Sequence, residues 1–207
     1  MKEIVKSYFD KRSLVNHQLA SYNDCIPLSD GKPSRMEKIV RNIRIGSDDF
    51  EVDETEGGLI KLDVLEKEIV VRVKNIRLGQ PTIREANGAE HPATPMECRL
   101  RKLTYFAPVY LDFRIYRDDL PPSPGADLGY MDEKNVHIGN LPIMVRSARC
   151  NLHANNIDSN RKLSPDTSPE DAEQYVKLLR NFGEDPVDPG GYFIINGTER
   201  VLISMED

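Results

Sequence analysis

The pair Asn196-Gly197, set between the apolar runs 192–195 and 201–203, constrains this chain more than any other short stretch. A two-residue hairpin turn that matches strand twist needs positive φ at both central positions, and Asn-Gly suits that best. The stretch "GGYFIINGTERVLISMED" therefore predicts two antiparallel strands, 192–195 and 201–203. A helix is as sharply bounded in "SPEDAEQYVKLLRNFG". Ser168 can cap it, Pro169 suits its first position, Glu170 and Asp171 favour its positive end, and Gly183 stops it. Ala172, Tyr175, Val176, Leu179 and Phe182 share one stripe, its expected buried face.

Elsewhere the signals alternate between helix and strand. Leu14, Val15, Leu19, Tyr22 and Ile26 have near-helical spacing, with Ser13 as cap and Pro27 as stop, and predict a helix over residues 2–25 with a break near Lys11. "SRMEKIVRNIRIG" puts Met36, Ile39, Val40 and Ile43 on one helix face and Arg35, Lys38, Arg41 and Arg44 on the other, ending at Gly46. After an acidic loop and Gly57-Gly58, "LIKLDVLEKEIVVRVKNIRL" has the β-branched alternation of paired strands. "NGAEHPATP" reads as a connector, Met96, Leu100 and Leu103 as a short helix, and Val109, Leu111, Phe113 and Ile115 as a strand. "DDLPPSPGADLGYMDEKN" is too rich in Pro and Gly for regular structure and reads as an exposed insertion, followed by the strand "VHIGNLPIMVRS" and a polar irregular stretch, 151–167. There is no repeat and no linker. The expected class is α+β, helices mixed with antiparallel hairpins, in one domain.

At 207 residues the chain is long enough for a core without staples. Cys25, Cys98 and Cys150 are odd in number and widely spaced, which points to free thiols and a cytoplasmic location. No apolar stretch approaches the roughly 20 residues of a membrane helix. A formal charge of -6 argues against a freestanding nucleic-acid binder, although it does not describe each surface.

The residues that carry chemistry form no recognisable catalytic set. Cys150 and His153 lack a second ligand pair at zinc spacing, and Cys98 with His91 is a poor set. Ser204 lacks a nucleophile elbow, and neither Gly57-Gly58 nor Gly190-Gly191 has a phosphate-loop frame. Asp48-Asp49, Asp118-Asp119 and the acidic residues in 185–188 sit in loop contexts rather than in a magnesium cluster. The face of Arg35, Lys38, Arg41 and Arg44 is the strongest electrostatic feature, readable as a solvated helix face or as a DNA or partner contact. Arg99, Arg101 and Lys102 in "CRLRK" leave the same two readings open.

Four blocks, in order, are more specific: "SLVNHQLASYNDCI", "ECRLRKLTYFAPVYLDF", "IGNLPIMVRSARC" and "DPGGYFIINGTERVLISMED". Together they resemble the second-largest subunit of multisubunit RNA polymerases, most closely its compact archaeal form, over nearly the whole chain. The resemblance implies the protrusion, a mixed α and β domain on one wall of the DNA cleft, with residues 1–207 as its N-terminal portion ending before the lobe. It implies a subunit fragment of a nucleotidyltransferase, inactive alone, with no catalytic residue or cofactor of its own. Magnesium would be held by the largest subunit.

The implied partners are the other polymerase subunits, the DNA template, the RNA-DNA hybrid and general transcription factors, with no membrane. A similar bacterial stretch, "INGTERVIVSQ", lies beside the hybrid and implicates Arg200, Ile203 and Met205 by position. Met205 departs from the bacterial glutamine, so rifamycin sensitivity is not implied. Arg200 could hold phosphate or pair within the hairpin, for instance with Glu199, whereas Arg146 is expected to be structural or to contact a subunit. Arg35, Lys38, Arg41 and Arg44 would then face phosphate or a neighbouring subunit. The alternative is a freestanding polymerase-like module that binds transcription factors or polymerase subunits.

Overall fold

The computed structural model describes residues 14–28, 31–46, 57–64, 67–117, 129–158, 162–163, 165–166 and 168–203. In chain order the elements are α1 (Asn16–Cys25), α2 (Arg35–Asn42), β1 (Arg44–Ile45), β2 (Gly58–Val64), β3 (Lys67–Leu78), β4 (Thr82–Arg84) and β5 (Glu90–Pro92). Then follow α3 (Pro95–Leu100), β6 (Phe106–Arg117), β7 (Gly129–Pro142), α4 (Pro169–Asn181), β8 (Phe193–Ile195) and β9 (Thr198–Arg200). The class is α+β, as expected. The chain forms two compact units: unit 1 takes Met1–Asp24, Gln80–Ala107 and Asn140–Asp207, and unit 2 takes Cys25–Gly79 and Pro108–Gly139.

Unit 2 is built on a five-stranded sheet of order β1-β2-β3-β6-β7. The β2–β3 hairpin read from the alternation is present, with Ile60 opposite Val71 and Leu62 opposite Ile69. β3 pairs antiparallel with β6, and a bulge between Val73 and Asn75 shifts the register. Leu59, Val73, Ile76, Leu78 and Val109 are buried.

The helix α2 starts where the sequence places it. Ser34 Oγ accepts the Glu37 amide at 3.2 Å, and Glu37 Oε2 accepts the Ser34 amide at 2.7 Å, a complete capping box. It ends earlier than expected, at Asn42. The cause is tertiary: the Leu59 amide donates to the Ile43 carbonyl at 2.9 Å, which draws residues 43–45 out as a parallel partner of β2. Arg44 therefore leaves the helix face that Arg35, Lys38 and Arg41 share. Ile39, expected on the apolar face, is 64% exposed.

Gly57-Gly58 is a point of backbone contact. Gly57 has φ +93, and a Cβ there would lie 2.1 Å from the Val73 carbonyl oxygen. A Cβ at Gly58 would lie 2.2 Å from the Val40 carbonyl oxygen, so β2 enters beneath α2 only with both side chains missing.

In unit 1 the family-like blocks are joined by backbone bonds. Tyr105 N–H donates to Ile194 O and Ile143 N–H to Tyr105 O, both at 2.9 Å. Val145 N–H donates to Tyr192 O at 2.8 Å, and Gly191 N–H returns to Val145 O at 3.0 Å. The first block joins through Tyr22, whose hydroxyl donates to Pro142 O at 2.6 Å and whose ring meets Phe193 edge-on. Tyr105, Ile143, Met144, Val145, Cys150, Leu152, Leu179 and Ile194 form the core.

Several expectations in unit 1 and its flanks need correction. α1 begins at Asn16 after a turn at Leu14 and Val15, and the predicted part before residue 14, Ser13 included, lies outside the described residues. "NGAEHPATP" contributes β5, which pairs with β4 across a turn closed by Glu85 N–H to Ala89 O at 2.8 Å. β7 starts at Gly129, inside the segment read as irregular, while 118–128 lie outside the described residues. β7 also stops at Pro142, because residues 143–145 bond to Tyr105 and Tyr192 as isolated bridging contacts rather than as a ladder.

α4 has the predicted caps, with Ser168 Oγ accepting the Asp171 amide, but of the expected stripe only Leu179 is buried: Ala172, Tyr175 and Val176 are half-buried and Phe182 is 42% exposed. The final turn is as expected, with φ +51 at Asn196 and +76 at Gly197. Its second strand is Thr198–Arg200 rather than 201–203, because a two-residue turn places Thr198 directly opposite Ile195.

Candidate nucleic-acid interface

Three arginines of unit 1, Arg99, Arg101 and Arg146, are spent on internal contacts. Arg99, in the "CRLRK" stretch, donates to Glu184 at 3.0 Å, Glu199 at 2.8 Å and the Tyr192 hydroxyl at 2.5 Å. Tyr192 in turn donates to Asp188, and burial followed by that carboxylate pushes its phenol well above the usual range. Arg101 donates to Glu85 at 2.5 Å and Glu97 at 2.8 Å. His91 joins the same group, its Nε2 3.3 Å from Glu85, which raises the imidazole above its ordinary value. Glu85, His91 and Glu97 have the donor types of a metal site, yet Arg101 already supplies the positive charge between the two carboxylates.

Arg146 is structural within the chain. Its backbone has φ +69, and its guanidinium donates to the Tyr175 hydroxyl at 2.5 Å and to Asp185 O at 3.0 Å while lying over the Tyr175 ring. Two of the three thiols, Cys98 and Cys150, are buried. Burial pushes Cys98 up to about 11 and also raises Cys150, which accepts the Tyr105 hydroxyl at 3.4 Å.

The residues singled out near the final hairpin do not converge on a site. Arg200 is exposed on β9 opposite Phe193, and among the described residues it makes no ion pair. Glu199 is taken by Arg99 instead. Ile203 is 79% exposed, and Met205 lies outside the described residues.

In unit 2, Arg35, Lys38 and Arg41 are placed along α2, with Arg41 exposed, whereas Arg44 turns back onto the backbone. Its guanidinium donates to Arg41 O at 2.8 Å, a carbonyl left open at the end of α2, and to Ile43 O at 2.7 Å and Gly57 O at 3.3 Å. Arg41 instead borders an open concavity of about 510 Å³ with Arg72, Lys74, Asn75, Arg114 and Tyr116.

Sheet pairing assembles this group. Arg72 on β3 stands directly opposite Arg114 on β6. Asp132 on β7 accepts from Arg114 at 2.6 and 2.9 Å and from Lys74 at 3.1 Å. Arg114, ahead of Lys74, holds the Asp132 carboxyl far below the usual carboxylate range. The Arg114 guanidinium also lies 3.9 Å from the Tyr130 ring centroid, and Tyr130 sits 6.1 Å from Tyr116. The alternation "VRVK" carried a signal for a basic strand face, but its partner in "FRIY" lies some forty positions on and becomes visible only through register.

Comparison with known proteins agrees with the four blocks. A family profile described as RNA polymerase beta subunit matches residues 13–207. The chain is 35% identical over its whole length to DNA-directed RNA polymerase subunit Rpo2N of Methanocaldococcus jannaschii, and 34% identical to subunit Rpo2N of Halobacterium salinarum. It covers 32% of each. It is 33% identical over 99% of its length to subunit Rpo2 of Saccharolobus shibatae, covering 14% of that protein. The chain thus spans about a third or less of the curated relatives it matches. With similarity running through both units and all four blocks, the chain belongs to the RNA polymerase beta-subunit family.

Proposed function

We propose that this chain is the protrusion portion of the second subunit of an archaeal-type DNA-directed RNA polymerase, acting in the cytoplasm as one wall of the DNA cleft during templated RNA synthesis. The observation that supports this reading is similarity to such subunits along the full length of the chain. Its partners are then the remaining subunits, the template, the RNA-DNA hybrid and general transcription factors. Arg35, Lys38 and Arg41 face phosphate or a neighbouring subunit, and Arg200, Ile203 and Met205 lie toward the nucleic acid.

The chain's own residues bind and position rather than react. Asp112, Asp132, Glu184 and Glu199 each engage an arginine, an arrangement that does not fit a magnesium oxygen cluster. On this reading the catalytic magnesium is held by the largest subunit.

The test is to tag the chain in its native cell, isolate it gently and identify what accompanies it by mass spectrometry. Co-isolation of the largest polymerase subunit is expected. Recovery free of polymerase subunits would refute the reading and favour a freestanding module.

A further inference from the structure

The concavity in unit 2 is out of character with the chain that carries it. The protein has a net charge of -6, yet Arg41, Arg72, Lys74 and Arg114 from three separate elements border one open depression. The β3–β6 register sets Arg72 directly opposite Arg114. Lys74 and Arg114 draw on a single carboxylate, Asp132, which they share. Three elements thus bring four cations, two of them sharing one carboxylate, to one open surface, a lining whose charge an anionic occupant matches.

The shape and lining narrow the class of anion. The depression is open rather than enclosed, so it suits a polymer passing over it better than a small ligand sealed within it. Arg114 is fixed in place by both oxygens of Asp132 and by the Tyr130 ring, so little order is lost when it meets a phosphate. Tyr116 offers an aromatic ring beside the cations, the combination that holds nucleic-acid backbones with sugars or bases against a ring.

We infer that the concavity bordered by Arg41, Arg72, Lys74 and Arg114 binds the phosphodiester backbone of a nucleic acid without reading its sequence, with Tyr116 against a sugar or base. The identity of the polymer rests on the polymerase reading; the anion chemistry rests on the geometry alone. Arg72, Lys74, Arg114 and Tyr116 join Arg41 as contact residues, while Arg44 is excluded because its guanidinium is committed to backbone carbonyls.

The experiment uses the intact chain, free and in its native assembly, with duplex and single-stranded DNA of unrelated sequences. Arg41→Gln and Lys74→Gln together should weaken binding equally across sequences and reduce the slope of log affinity against log salt by about 2, roughly 0.9 for each phosphate no longer neutralised. The exposed single variant Arg41→Gln should reduce the slope by about 1 and leaves the sheet intact. The control Lys177→Gln with Arg180→Gln, an equal charge change on α4, should leave the slope unchanged.

A photocrosslinker at Asn75 should capture nucleic acid. An unchanged slope, or crosslinking at Asn75 to an acidic protein segment instead, overturns the inference even when polymerase subunits co-isolate. Failure of co-isolation with the slope still falling in the free chain would overturn the polymerase reading and leave the site standing.

Discussion

In unit 1, Arg99, Arg101 and Arg146 are each tied to carboxylates, hydroxyls or carbonyls of the same unit, whereas unit 2 gathers Arg41, Arg72, Lys74 and Arg114 around a depression where Lys74 and Arg114 share one aspartate. The contrast runs against the sequence pattern. The blocks that mark the family lie mostly in unit 1, and their conspicuous arginines hold chain segments together. The cations arranged for an external anion lie mostly between the blocks. A residue can be diagnostic of a family because the fold needs it, while the surface that meets a partner is written in a less recognisable stretch.

Substitutions that strike one unit and spare the other would sharpen or break this division. The largest effect is expected for Tyr105→Ala. This fully buried ring leaves a cavity, and Cys150 and the Asn151 amide lose their partner, so unit 1 should lose about 3 to 5 kcal/mol in denaturant melts. Gly57→Ala follows, with a strained φ and a clash against the Val73 carbonyl that should cost about 2 to 4 kcal/mol. Hydrogen exchange should show that destabilisation in β2 and β3 amides while α4 keeps its protection. Exchange rising equally in both units would mean that they unfold as one.

Arg99→Ala should cost about 2 to 3 kcal/mol, because it leaves the buried Glu184 carboxylate without its cation. Met96 N–H still donates to Glu184 at 2.6 Å, which keeps the cost below that of a bare buried charge. The smallest effect is the acid response of unit 2. Asp132 titrates below its ordinary 3.8 because it is paired, so its stabilising contribution is complete above that value and is lost as pH falls through the lowered folded value. Exchange at β6 and β7 amides should therefore rise only in strong acid, and Asp132→Asn should remove that pH dependence.

The elements that were legible from the sequence are those whose causes are local. The caps of α4, the β2–β3 alternation and the Asn196-Gly197 turn each depend on residues a few positions apart. The misplacements arise where a distant segment decides. The helical spacing of Ile43 and Arg44 is real in the sequence, but the Leu59 amide claims the Ile43 carbonyl for a strand. β4 and β5 have three residues each, too few for a period to show, and the start of β7 was hidden behind a Pro-rich run.

The candidate site divides in the same way. Lys38 and Arg41 were identifiable as cations of one helix face from helix period alone. Arg72, Lys74 and Arg114 become a group only through the β3–β6 register and the bulge after Val73. Arg200 was singled out by resemblance, and its local chemistry adds an exposed cation to the hairpin.

The most direct measurement of the central claim is nucleotide incorporation by material purified through a tag on this chain. The account predicts DNA-templated RNA synthesis by the isolated assembly and none by the free chain. Synthesis by the free chain, or an assembly that forms without supporting templated synthesis, would contradict it.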